Sequence, residues 1–206
     1  MLRLRATDPT GRVVRDEPVP HGVDPVRVLT AAGLRPTFTG ATREGDAVVL
    51  RFRVERGPVP HPYQRVAGYA VVLAEVGGRR CVLLTQLART DRDGWWALPG
   101  GGLDPGEDPE AGVLREVHEE TGQAVVDLRP LDVVTAHWTG RAPSGRLEDF
   151  HAVRLVYRAD CPHPTEPVVH DPGGTTAAAA WVPVEQLAGI PLVSWTLPLI
   201  RRVTGG

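Results

Sequence analysis

GGLDPGEDPEAGVLREVHEETGQ, Gly101 to Gln123, is the stretch that decides how this chain is read. It sets seven carboxylates (Asp104, Glu107, Asp108, Glu110, Glu116, Glu119 and Glu120) around one arginine, Arg115. Like charges three and four residues apart on a helix repel each other, so such a cluster persists readily only where something cationic sits. Clustered oxygen donors suit a hard cation such as Mg²⁺, which in proteins usually works on phosphates.

The helix is read from its ends. Asp108 is a good N-cap, Pro109 suits the first helical position, and Gly122 suits the left-handed position after the last turn. This predicts a helix over Pro109 to Thr121. At about 100° per residue, Glu116, Glu119 and Glu120 fall within one arc of roughly 100°. Val113, Leu114 and Val117 form an adjoining apolar stripe expected to face a core. Upstream, Pro99 and the run Gly100, Gly101, Gly102 predict a tight, close-packed turn. Asp104 to Gly106 reads as a second turn, with Glu107 just after it. The order is strand, glycine-rich loop, acidic helix.

The segment resembles the Nudix box, Gx5Ex7REUxEExGU with U aliphatic: Gly101, Glu107, Arg115, Glu116, Val117, Glu119, Glu120 and Gly122 fall at its positions. The one departure is Gln123 at the last position, a packing site in the family. The alternative for these residues is a solvated acidic helix with an Arg115–Glu119 pair, which explains neither the upstream glycines nor Glu107.

Outward from the box, 206 residues suit one domain, alone or with an appendage, and are enough for a substantial core. A net charge of −2 gives no sequence-independent pull toward nucleic acid or an anionic membrane, so neither is expected as a partner. All 23 basic residues are arginine, which excludes Schiff-base chemistry and a P-loop lysine. The longest apolar run, Val66 to Val76, is too short to span a bilayer. No apolar signal region follows the N-terminal arginines. Two cysteines, Cys81 and Cys161, make no disulfide framework, and Cys81 reads as a small core residue. The expected location is cytoplasmic.

Residues 1–60 read as an N-terminal extension ahead of a main domain at 61–206. They hold a polar, proline-rich start, a short helix at Pro25 to Ala32 and an alternating strand at Ala47 to Glu55. They are expected either to add a strand to the chain's own sheet or to lend one to a second copy in a homodimer. Arg65 to Val76 and Arg80 to Gln86, separated by Gly77-Gly78, predict a β-hairpin. Further strands are expected at Trp95 to Leu98, Val125 to Leu128, Leu131 to Trp138, Phe150 to Tyr157 and Ala178 to Val182, with a polar loop at Thr139 to Asp149. Val184 to Ala188 and Thr196 to Val203 read as short helices. A mixed sheet sandwiched by helices follows, and the resemblance likewise implies a Nudix-type α/β/α fold over roughly residues 64–203.

What the resemblance implies for chemistry is metal-dependent hydrolysis of a nucleoside diphosphate linked to another moiety: a nucleotide sugar, a dinucleotide or a nucleoside triphosphate. The cofactor would be Mg²⁺, with Mn²⁺ as substitute. Glu116 and Glu120 would be metal ligands, Glu119 a ligand or the base, and the carbonyl near Gly100 a further ligand. Glu107 and Arg115 would brace the loop against the helix. A base from outside the box would be Glu148 or Asp149, just before the Phe150 strand, or Asp171 in the later loop. Thr175 to Ala180 reads TTAAAA where many relatives carry a glutamate, which favours Glu119. For substrate, Trp96, Trp138 and Phe150 offer aromatic faces and Arg141 and Arg146 offer charge. Two alternatives are a Nudix-fold regulatory module that binds without turnover and an isopentenyl diphosphate isomerase-like enzyme. The first would usually lose box carboxylates. The second would need a reactive cysteine.

Overall fold

The computed structural model describes residues 1–90, 92–142, 144–170 and 174–205. They divide into two compact units, Met1–Tyr63 with His137–His151, and Gln64–Ala136 with Ala152–Gly206.

In the first unit, β1 (Leu2–Thr7), β2 (Val13–Pro18), α1 (Pro25–Ala31), β3 (Leu34–Glu44) and β4 (Ala47–Arg56) follow in chain order. The strands pair among themselves in the order β2-β1-β4-β3, with β1 and β4 parallel and the other pairs antiparallel. Leu4 and Ala6 alternate with Arg3 and Arg5, so one face of β1 enters a core with Leu29, Phe52 and Val54. Asp24 caps α1 by accepting from Val26 N–H at 2.8 Å, with Pro25 behind it. The helix at Pro25 and the strand at Ala47 were expected. β1, β2 and β3 were not: two are polar edge strands, and Pro36 in β3 is tolerated because an edge strand needs only one ladder.

The second unit follows the hairpin prediction: β5 (His61–Val76) turns through Gly77 and Gly78 into β6 (Arg79–Leu87), antiparallel. β7 (Trp96–Ala97) pairs with β6. β8 (Gly100–Gly102) pairs with β5, so the glycine run is a short extended strand rather than the predicted turn. α2 (Pro109–Thr121), β9 (Val126–Arg141), β10 (Leu147–Asp160), β11 (Thr176–Pro183), a 3-10 helix at Val184–Gly189 and α3 (Thr196–Thr204) complete the chain. The main path of the sheet is β11-β6-β5-β10-β9, and β9 and β10 contribute residues to both units.

Alternation along β5 makes the sandwich. Ala70 and Val72 face Val113 and Val117 of α2, while Val71 and Leu73 join Leu199 and Ile200 of α3 on the other side. Leu114, expected in the apolar stripe, is 42% exposed. The buried arc of α2 instead runs through Gly112, Val113, Val117 and Thr121. Two expected strands, Val125 to Leu128 and Leu131 to Trp138, are one, and Pro130 fits because β9 is the edge of the sheet. The polar loop predicted at Thr139 to Asp149 shrinks to a turn in which Ala142 N–H donates to the Arg146 carbonyl at 2.9 Å. No helix among the described residues is long and apolar enough to cross a membrane.

Candidate active site

The acidic helix is held by its ends as its sequence requires. Asp108 accepts from the N–H groups of Glu110 at 2.9 Å and Ala111 at 3.3 Å. Gly122 takes φ 70° and donates to the His118 carbonyl at 2.8 Å. Glu116 and Glu120 fall between Gly112 and Val113 on the helical wheel, so they point toward β8. Gly100 N–H donates to Glu120 Oε2 at 2.9 Å. The Glu116 carboxyl sits where a side chain at Gly101 would begin, 2.5 Å from the ideal Cβ position. Position 101 is glycine because the helix presses a carboxylate directly onto the β8 backbone there.

Arg115 gathers three of the carboxylates. It pairs with Glu107 through two hydrogen bonds, at 2.8 and 3.0 Å, and with Glu116 and Glu119 at 3.0 Å each. It also donates to the Gly102 carbonyl at 3.3 Å, which ties helix to strand. Glu107 in turn accepts from Asp104 N–H at 2.9 Å. The Arg115 guanidinium, helped by that N–H, holds the Glu107 carboxyl down at about 2. Glu116 is pushed upward by burial, with Arg115 opposing the rise. Glu119 is more open than Glu116, its side chain 43% exposed against 16%. Among the described residues, no three His, Cys, Asp or Glu side chains converge as a ready-made metal cage. Arg115 shares Glu116 and Glu119, while Glu120 is turned to Gly100 and to the Thr176 hydroxyl at 2.5 Å.

The lowered pKa of Glu107 sets a pH window. A carboxyl lowered from 4.5 to about 2 contributes its full stabilisation above the ordinary value and loses it as pH falls toward about 2. We therefore expect the stability gap between wild type and Glu107→Gln, read from urea unfolding, to be level above about pH 5 and to narrow through this window. A gap independent of pH would remove the Arg115 brace as its cause.

The structure brings Gly100, Glu107, Arg115, Glu116, Glu119 and Glu120 together where α2 packs against β8. Trp96 is half-buried against the core cluster of the same unit, bridging Leu192, while Trp95 is 41% exposed beneath the Arg92 guanidinium. The remaining predicted residues belong to the first unit and cluster with one another. Trp138 packs on Phe150 at a tilt, ring centroids 4.5 Å apart, and Tyr63 meets Phe150 edge-on at 5.4 Å. Arg141 donates to the Gly145 carbonyl at 2.7 Å, and Arg146 pairs with Glu148 at 2.6 Å. Glu148 and Asp149 were offered as a base from outside the box, at the end of a polar loop. Both lie on β10: Glu148 is 7% exposed, and Asp149 accepts from Arg27 at 2.6 Å and pairs with His137 at 2.9 Å. Asp171 lies outside the described residues.

Two residues carry more than their sequence positions suggested. Gln123 is buried, and a buried amide needs partners. Its oxygen accepts from Thr165 N–H at 3.0 Å and its nitrogen donates to the Thr121 carbonyl at 3.1 Å, so it moors the segment after β10 to the end of α2. His170 N–H and Val168 N–H then bond the Glu119 and Thr121 carbonyls, at 2.8 and 2.9 Å. Thr176 follows and reaches Glu120, and it lines a cavity of about 320 Å³ with Ala88, Arg89, Val169, Gly174 and Ala177. The only sequence signal at Thr176 was a Thr-Thr pair ahead of four alanines.

Residues 64–203 match the NUDIX domain family. The RNA pyrophosphohydrolase of Rhodopseudomonas palustris (strain BisB18) is 31% identical over 160 residues, 69% of this chain and 86% of that protein. Nucleoside triphosphatase NudI of Salmonella schwarzengrund (strain CVM19633) is 33% identical over 120 residues, 52% of this chain and 77% of that protein. The crystal structure of a MutT NUDIX hydrolase from Burkholderia pseudomallei matches with a TM-score of 0.53 at 30% identity, covering 68% of this chain and 98% of that one. The NUDIX domain of Shewanella oneidensis NrtR, solved with ADP ribose, shares the fold at a TM-score of 0.56 and 24% identity, covering 69% and 88%. With its glycine strand, its braced acidic helix and a match over most of its length, the chain belongs to the Nudix hydrolase family.

Proposed function

We propose that the protein hydrolyses the pyrophosphate linkage of a nucleoside diphosphate derivative with the help of Mg²⁺, for which Mn²⁺ substitutes. The observation that carries this reading is the Glu120 carboxylate, fixed from two sides on the one helix edge that also bears Glu116 and Glu119. The donor set fits a hard divalent cation in kind: carboxylate oxygens on one helix edge and the Gly100 carbonyl on the adjoining strand. Glu116 and Glu120 would hold the ion, with Glu119 as a third ligand or as the base. When bound, the cation supplies neutralisation of the diphosphate charge and polarisation at phosphorus.

The chain's own residues do the rest. Water adds to phosphorus, the bridging P–O bond breaks, and a carboxylate takes the water's proton. Glu119, more open than Glu116 and without the two donors that fix Glu120, is our assignment for that base. Glu107 and Arg115 keep β8 against α2, so that the ligands stay in register. Both cysteines are buried and burial pushes both thiols up, which gives no support to an isomerase that needs a reactive thiol. A cytoplasmic location belongs to the same reading, where nucleotides and reduced cysteines coexist.

The names of the relatives put RNA and nucleoside triphosphates beside nucleotide sugars and dinucleotides as substrate classes. With a net charge of −2, an RNA substrate would be held by its end rather than along its backbone. A panel of these four classes, assayed with and without Mg²⁺, is expected to show metal-dependent release of phosphate or nucleotide from at least one. Glu119→Gln should slow that turnover more than it weakens substrate binding. Folded protein that turns over nothing on the panel would favour a binding module instead, and an unchanged Glu119→Gln rate would remove it as base.

A further inference from the structure

We propose that Thr176 is a positioning residue for Glu120, holding its carboxylate in the orientation that ligates the divalent cation; this rests on the function proposed above. Thr176 begins β11 opposite Leu87, and Ala178 pairs with the very next residue, Gln86. Ala177 is therefore the extra residue of a β-bulge, a device that bends a strand and re-aims the side chain beside it. Its effect here is visible in burial: Thr176 is 8% exposed, while Ala177 is exposed to solvent. The buried hydroxyl donates to Glu120 Oε1 at 2.5 Å, and Gly100 N–H donates to Oε2 at 2.9 Å. One donor on each oxygen, from two different strands, sets the plane of the carboxylate.

That matters because the last torsion of a glutamate is broad and only two-fold restricted. A carboxylate has about four acceptor sites, so it can take these donors and still ligate a cation. Without Thr176, ion binding would itself have to order the side chain, at an entropic cost. The loop before Thr176 is moored on the same helix: His170 bonds the Glu119 carbonyl, and Gln123 holds Thr165. Partners of this kind, one bond removed from a metal, typically change metal affinity by about 10- to 100-fold.

Mn²⁺ titration of the full chain, followed by electron paramagnetic resonance without substrate, tests this apart from turnover. Thr176→Val removes the hydroxyl at nearly constant volume and is expected to weaken Mn²⁺ binding by about 10-fold or more. Thr176→Ser keeps the donor and should bind Mn²⁺ like wild type, with the melting temperatures of both variants near the wild-type value. In a Glu120→Gln background, Thr176→Val should cause no further loss, because the two act as one unit. If Glu120→Gln binds Mn²⁺ as wild type does, the metal reading itself fails and takes the proposal with it. If Glu120→Gln loses Mn²⁺ but Thr176→Val binds it equally or more tightly, only the positioning role is overturned. Should the valine variant fail to fold, Thr176→Ala makes the same comparison.

Discussion

Glu120→Gln should lower kcat/KM on the best substrate by on the order of 10³-fold while leaving the fold intact. Loss of a ligand that carries a cation against phosphate costs several kcal/mol of transition-state stabilisation, and each 1.36 kcal/mol is about tenfold in rate. The fold survives because the amide can be accommodated. Its oxygen can accept from Gly100 N–H, and its NH₂ can face the Thr176 hydroxyl, which rotates to accept. The expected pattern is thus lost turnover and lost Mn²⁺ binding with a near-wild-type unfolding midpoint. Turnover within a few-fold of wild type would overturn the assignment of Glu120 to the metal.

Gly100→Ala should destabilise the protein by about 3–5 kcal/mol, or prevent folding. Gly100 has φ +144°, where L side chains are strained. Its Cβ would stand 2.6 Å from the Tyr69 Cα and also strike the Gly68 carbonyl. Neither neighbour can give way. Gly68 and Tyr69 belong to β5, the strand paired with both β6 and β8, and the residues after them, Ala70 and Val71, are fully buried. Overpacking backbone against backbone offers no side chain to rotate aside. Urea unfolding measures the effect directly, and a midpoint corresponding to less than about 1 kcal/mol of loss would contradict this close approach.

The two predictions draw on different kinds of information. That Glu120 matters was legible in the chain itself, from carboxylates spaced on one helix edge between a proline start and a glycine stop. Helix ends are local chemistry: Asp108, Pro109 and Gly122 act on groups within a few residues, and α2 runs from Pro109 to Thr121 as they dictate. The β5–β6 hairpin was legible for the same reason, its turn being two adjacent glycines. The parallel pairing of β1 with β4 was not, because it joins Leu2 to Val48 across a helix and two other strands. Pro130 read as a break because nothing in the sequence says that β9 is a sheet edge.

By itself the sequence determined the family and its box: a strand, a close-packed glycine run and an acidic helix with Glu107 and Arg115 of opposite charge eight residues apart. Local spacing and capping suffice for that, since each depends on neighbours along the chain. Only the tertiary structure decided that the glycine run is a strand pressed beneath Glu116, that Glu148 and Asp149 lie on β10 and pair with Arg146, His137 and Arg27, and that Thr176 reaches Glu120. Those contacts join residues as far as 122 positions apart, and their formation depends on sheet register and a one-residue bulge. A shift of one residue in a strand moves a side chain to the opposite face, and no pattern along the chain records which face was chosen.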